Sequence, residues 1–151
     1  MGLGVTYTEH PVTPELLARL WANLWDRGKT EFERWGSTMD EEFHRFLTYA
    51  ENATQSAIFC ADGAPVLVAG ICPEGNAAFT FMEATQDFER HYVFIVRTLR
   101  RRSKTHKGTL YIYSVLIHPL AEKFFHSIGY ERDEWVGQTA AKWPLYRFKR
   151  K

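Results

Sequence analysis

Glu83 closes an apolar run, Ala77-Ala78-Phe79-Thr80-Phe81-Met82, that has the composition of a β-strand. A carboxylate at a strand end that faces a cleft is tuned toward neutral by partial burial and can then act as a general base. On an open strand end the same residue is only a solvated acid. His118 precedes Pro119, and its ring is suited to capping a following helix, to holding a phosphate or to giving up a proton. Arg97, Arg100, Arg101, Arg102, Lys104 and Lys107 form a dense basic cluster, with Arg147, Lys149, Arg150 and Lys151 in a basic tail. Such a cluster can contact nucleic acid or an acidic protein, or simply solvate a helix end whose dipole it complements. The six histidines and the acids show no spacing typical of metal ligands, so no metal is expected.

These residues need elements to hold them. Thr13-Pro14 opens a first helix, Thr as N-cap and Pro at the first helical position. Its apolar stripe runs from Leu16 through Leu20 and Trp21 to Leu24 and Trp25, with Gly28 as a plausible stop. Trp21 and Trp25 on that stripe read as core. Lys29 to Ser37 reads as a loop or a short helical turn. Thr38 and Glu41 make a capping-box pair ahead of a second helix with Phe43, Phe46, Leu47 and Ala50 on one face.

Ser56–Ala61 and Pro65–Ile71 flank the hairpin signal Asp62-Gly63, which would set Cys60 opposite Pro65 and keep Cys72 out of its reach. A third strand covers 77–83. Thr85 to Arg102 lacks Gly and Pro and carries a stripe of Phe88, Tyr92, Ile95, Val96 and Leu99, so it reads as the longest helix. Leu110–Leu116 has the density of a buried strand. Pro119 starts a further helix that Gly129 ends, and His126 on it should face solvent. Tyr130–Val136 and Trp143–Phe148 close the chain, after a short first strand near Gly4–Thr8.

The expected order is β-α-α-β-β-β-α-β-α-β-β. This is an α+β fold with a mainly antiparallel sheet and one central parallel pair, 77–83 beside 110–116, joined by a helix crossover.

With 151 residues, the chain is expected to be one domain over 1–151, large enough to bury a core. A net charge of +1 argues against a surface that coats nucleic acid or membrane as a whole. No run approaches the roughly 20 apolar residues of a membrane helix. No signal-peptide pattern opens the chain. Two separate thiols suit a cytoplasmic setting.

The stretch Ser114-Val115-Leu116-Ile117-His118-Pro119-Leu120-Ala121-Glu122-Lys123-Phe124-Phe125-His126-Ser127-Ile128-Gly129-Tyr130 resembles the signature of GNAT acyltransferases, in which a strand leads into a short helix that ends on Gly-aromatic. The chain is also similar to the GNAT-like proteins of T7-type phages. The resemblance implies an acyl-CoA slot where strand 77–83 splays from 110–116, with Glu83 where many of these enzymes keep a general base. It places the diphosphate loop at Ala84–His91, making Thr85, Gln86 and Arg90 the candidate cofactor contacts. That stretch has no glycine and carries Asp87 and Glu89, which would repel a diphosphate. The family's tyrosine proton donor falls on Phe125, which has no proton to give, and its usual asparagine falls on His118. The resemblance thus implies a phage-type protein with a decayed acyl-CoA site. It would act in virion assembly or host interaction through a protein partner, in the cytoplasm or on the virion. The alternative it implies is a divergent acetyl-CoA-dependent N-acetyltransferase with Glu83 as base and His118 as a candidate proton donor.

Overall fold

Residues 4–116, 118 and 120–151 are described by the computed structural model. One seven-stranded sheet runs through the molecule in the order β1-β2-β3-β4-β5-β7-β6. Its strands are β1 (Tyr7–His10), β2 (Gln55–Ala61), β3 (Ala64–Glu74), β4 (Ala77–Ala84), β5 (Leu110–Ser114), β6 (Tyr130–Gln138) and β7 (Pro144–Arg150). All neighbouring pairs are antiparallel except β4 and β5.

Three helices, α1 (Pro14–Ala22), α2 (Asp26–Trp35) and α3 (Met39–Asn52), bury Leu17, Leu20, Trp21, Phe32 and Phe46 with Ile58, Val68 and Phe81. Two more, α4 (Tyr92–Thr105) and α5 (Ala121–Ser127), bury Ile95, Leu99 and Phe125 with Ala78, Ile112 and Phe148 in a second cluster. Because strand side chains alternate, these two clusters are the two faces of the sheet. The fold is the expected α+β arrangement. Among the described residues no helix is long and apolar enough to cross a membrane.

Local chemistry sets most element ends. Thr13 Oγ1 accepts the Leu16 N–H at 3.2 Å, and Thr38 with Glu41 completes the capping box. Asp62 and Gly63 both take positive φ, 49° and 83°, the geometry of a tight hairpin turn, and Cys60 faces Pro65 as expected. Gly129 sits at φ 101° behind α5. Pro119, the expected start of that helix, lies outside the described residues.

Several element bounds are corrected. The segment 29–35, in the stretch expected as a loop or a short helical turn, is regular helix. It belongs to α2, which runs through Gly28 and ends on Gly36 at φ 79°. Its apolar stripe is short, Phe32 and Trp35, too little for periodicity to show. The helix expected from Thr85 begins only at Tyr92, after a single 3-10 turn at Glu89–His91. The Thr85 N–H donates to Val66 O at 3.1 Å and the Gln86 N–H to Asn23 O at 3.1 Å, so tertiary partners hold this backbone and a helix cannot start there. Asp87 and Glu89 therefore precede the helix instead of occupying its first turn. At the other end α4 reaches Thr105, past the expected Arg102, and β5 stops at Ser114, short of Leu116.

Candidate active site

β4 and β5 run parallel as expected, yet their ladder is only Ala78 opposite Leu110 and Phe79 opposite Tyr111. Beyond these pairs the strands part. A cavity of about 590 Å³ occupies the opening and reaches both faces of the sheet. On the α4–α5 side its walls include Phe88, Tyr92, Ile112, Phe124 and Phe125, and on the α1–α3 side Trp25, Glu31, Trp35, Phe46 and Tyr49. The rings brace one another. Trp25 and Phe88 lie 4.5 Å apart between centroids, and Phe88 and Phe124 5.4 Å. Such contacts keep the walls from collapsing inward.

Glu83 stands on β4 where the strands diverge and is 4% exposed. Its Oε1 accepts the indole N–H of Trp25 at 2.7 Å and the Ala84 N–H at 3.3 Å. Burial raises its pKa from the usual 4.5 to about 7, against the lowering effect of the Trp25 hydrogen bond. The carboxyl is thus nearly half ionised at neutral pH, a condition that suits a general base. Glu42 from α3 is also buried, but it is compensated by an ion pair with Arg45 and by the Ser37 hydroxyl, which donates at 2.7 Å. Trp25, expected as plain core on the first helix, sits instead in the connection to α2, half-buried, with its polar edge on Glu83. Trp21 is core, 8% exposed.

His118 lines the same cavity. Its Nδ1 accepts the Leu120 N–H at 3.1 Å, so the ring does cap the turn before α5. In the neutral ring that bond leaves the proton on Nε2. Phe125 is buried against Phe148, ring centroids 4.8 Å apart. His126 is exposed, as expected.

The diphosphate contacts implied by resemblance are placed differently. Thr85 is fully buried, with its N–H on Val66 O and its Oγ1 accepting the Asp87 N–H at 3.4 Å, so no group of it faces a ligand. Gln86 gives its N–H to Asn23 but exposes its side chain, and Arg90 is exposed beside Asp87 at 3.9 Å. The N–H groups of Phe88 and His91 also donate to carbonyls within the loop. Backbone that would cradle phosphates is already hydrogen-bonded.

None of the six clustered cations lines the cavity. Arg102 pairs with Glu9 and lies over the Phe59 ring, whereas Arg97, Arg100, Arg101, Lys104 and Lys107 are exposed. The tail does come close. Arg150 donates to the carbonyls of Ser103 and His106, closing the last turn of α4. Among the described residues no group of three metal-ligating side chains occurs.

No protein-family model matches the chain, and no curated protein matches it. Solved structures do. An acetyltransferase from Thermus thermophilus superposes with a TM-score of 0.69 at 19% identity, covering 96% of both chains. The PaiA N-acetyltransferase from Thermoplasma acidophilum, in complex with coenzyme A, gives 0.68 at 11% identity over 97% of this chain and 99% of that one. A GNAT-family acetyltransferase from Bacillus anthracis gives 0.67 at 10% identity over 99% and 97%. At these identities the likeness is one of fold. The chain has the GNAT fold.

Burying Glu83 has a consequence for stability. Between its usual pKa of 4.5 and its folded value of about 7, the folded state holds a proton that the unfolded state has lost. Stability therefore falls as pH rises through that window, and the loss is complete above it. Glu83→Gln removes the loss, so its thermal midpoint should exceed wild type by several degrees at pH 8, for a gain of up to about 3 kcal/mol. At pH 4.5 the two should nearly coincide. Circular dichroism melts at both pH values check this, and an equal difference at each would contradict it.

Proposed function

We propose that the protein is an acyl-CoA-dependent N-acyltransferase in which Glu83 takes the proton of the acceptor amine. The observation that carries this reading is the opening between β4 and β5, with a carboxyl poised near neutral at its edge. The likeness to acetyltransferases, one of them bound to coenzyme A, supports it.

The residues present fit an acyl-pantetheine arm, because the gap passes through the sheet between mostly apolar walls. They fit the diphosphate less well. Its charge would fall to exposed side chains, Arg90 and Lys123, in place of backbone N–H groups. When bound, acyl-CoA supplies the acyl group as a thioester. Glu83 would accept a proton from the amine as the carbon–nitrogen bond forms and the carbon–sulfur bond of the thioester breaks, with Trp25 holding the carboxylate in place. His118, which lines the cavity with its Nδ1 engaged by the Leu120 N–H, would give the departing thiolate a proton from Nε2, the donor role for which Phe125 has no group. An assembly or host-interaction role with a decayed site is the competing proposal. It draws on Phe125 and on the glycine-free loop, and the three acetyltransferase structures named above lend it no support.

Acetyl-CoA with a panel of primary amines, followed by release of free thiol, tests the reading. Turnover should rise with pH through about 7 as Glu83 ionises. Glu83→Gln should lower kcat about 100-fold or more with little change in KM for acetyl-CoA. Calorimetry should give an affinity weaker than low micromolar, since each missing charge-assisted bond to phosphate forfeits roughly 1.5–3 kcal/mol. Neither binding nor turnover with any amine would favour the assembly role.

A nucleic-acid contact through the basic cluster is a separate proposal, supported by the exposure of Arg97, Arg100, Arg101, Lys104 and Lys107. Filter binding across a salt series should give a log–log slope near −0.9 per neutralised phosphate, abolished on changing Arg100 and Arg101 to Glu. Absence of binding at about 0.1 M salt removes nucleic acid from the candidate partners.

A further inference from the structure

Glu83 has one oxygen that its neighbours leave alone. Oε1 is held by Trp25 and by the Ala84 N–H, but Oε2 is buried and no N–H or O–H among the described residues reaches it. A buried carboxylate oxygen with no donor is strongly disfavoured, so its surroundings need an explanation.

Helix α2 supplies one. Gly28, a poor helix former, lies in its first turn, where a Cβ would stand 2.8 Å from Glu83 Oε1 and 3.0 Å from the Trp25 ring. A larger residue at position 28 would have to displace the Glu83 carboxyl and the Trp25 ring. Glu31 follows Gly28 by three residues, hence lies on the same face of the helix, and it lines the same cavity as Glu83. Two carboxylates brought together in this way repel and have no hydrogen to offer each other. One proton between them removes both difficulties.

We propose that Glu31 is the proton-sharing partner of Glu83, its carboxylic acid O–H donating to Glu83 Oε2 and holding the base in place. Burial, and then the charge of Glu83, keep the Glu31 carboxyl well above the usual range, so Glu31 retains its proton when Glu83 ionises. The hydrogen bond from Glu31 in turn favours the Glu83 carboxylate against the burial that disfavours it. The other groups facing the pair do not replace this donor. Glu42 of α3 is compensated by Arg45 and Ser37, Trp25 is engaged with Oε1, and His118 lines the cavity from the connection before α5. Glu31 is thus a positioning residue: it supplies a neutral donor at the one oxygen that the indole leaves unbound. Its catalytic meaning rests on the acyltransferase reading, but the pairing itself does not.

The Trp25 indole N–H, bonded to Glu83, is a reporter that needs no substrate. In ¹⁵N–¹H spectra of the whole protein its signal should titrate with a midpoint near pH 7. Glu31→Gln keeps a donor and should leave the midpoint within about half a unit. Glu31→Ala removes it and should raise the midpoint by about one unit, a roughly tenfold loss of acidity. Identical midpoints in all three proteins, or a lowered one in Glu31→Ala, would overturn the proposal. If Glu31→Ala does not fold, ¹³C spectra of glutamate-labelled wild type decide. Two coupled steps, one near 7 and both displaced upward from the ordinary carboxyl range, support the pair, and two independent carboxyls titrating near 4.5 refute it. In the enzyme assay the acidic limb of kcat/KM should move with the Trp25 midpoint in each variant, whereas a merely structural Glu31 would change kcat or KM and leave the limb where it is. Indole shifts as expected without any turnover would retain the pair and refute the acyltransferase. Turnover with an unmoved indole midpoint would do the reverse.

Discussion

Two parallel strands that bond over two residue pairs and then separate place an unusual demand on a sheet, because the freed strand end must be held by something else. β5 is held on its other side by β7, and β4 by β3, so neither strand can follow its partner across the gap. The end of β4 is tied down by the connection between α1 and α2. The Trp25 N–H donates to Ala84 O at 3.3 Å, Leu24 bridges Thr85, and the Gln86 N–H reaches Asn23 O. That tie organises the site. It delivers the Trp25 indole to Glu83 and starts α2 so that a Cβ at position 28 would press on the Glu83 carboxyl and the Trp25 ring. It also delays α4 until Tyr92.

The cavity that results is walled mostly by apolar side chains and contains more acid than its cations neutralise. Glu42 is matched by Arg45, but Glu83 has only the Trp25 indole and the Ala84 N–H as donors, and among the described residues no cation pairs with Glu31. Such an arrangement is unfavourable for the folded state at neutral pH, since desolvation penalises the charged form. Cavity residues held against stability in this manner are characteristic of sites that handle protons. The buried polar group around Tyr130 is conventional by comparison. Tyr130, fully buried, shares hydroxyl hydrogen bonds with Thr80 and Ser103, and Arg150 closes the last turn of α4.

The fold was legible wherever local chemistry decides it. Thr13-Pro14, Thr38 with Glu41, Asp62-Gly63 and Gly129 set the ends of their elements as read, and the Gly-free stripe between two apolar strands pointed to the parallel crossover. What could not be read depended on distant partners. Phe32 and Trp35 alone do not announce a helix, and nothing local tells that Thr85 and Gln86 are held by Val66 and Asn23. The site was half legible. Glu83 and His118 do line one cavity, as their positions at element ends suggested. Trp25 and Glu31 belong to it through the tie described above, and the one local hint was Gly28, which reads as a helix stop until a close neighbour is known. Thr85 had the expected sequence position but is wholly buried.

The central claim is that the gap between β4 and β5 is a working acyl-transfer site and not a packing defect. A crystal structure of the protein soaked with acetyl-CoA tests it most directly. The account predicts the pantetheine arm threaded between Phe81–Ala84 of β4 and Ile112–Ser114 of β5, its thioester in the cavity that Glu83 and His118 share. Electron density elsewhere on the surface, or a gap that stays closed to the ligand at saturating concentration, would contradict it.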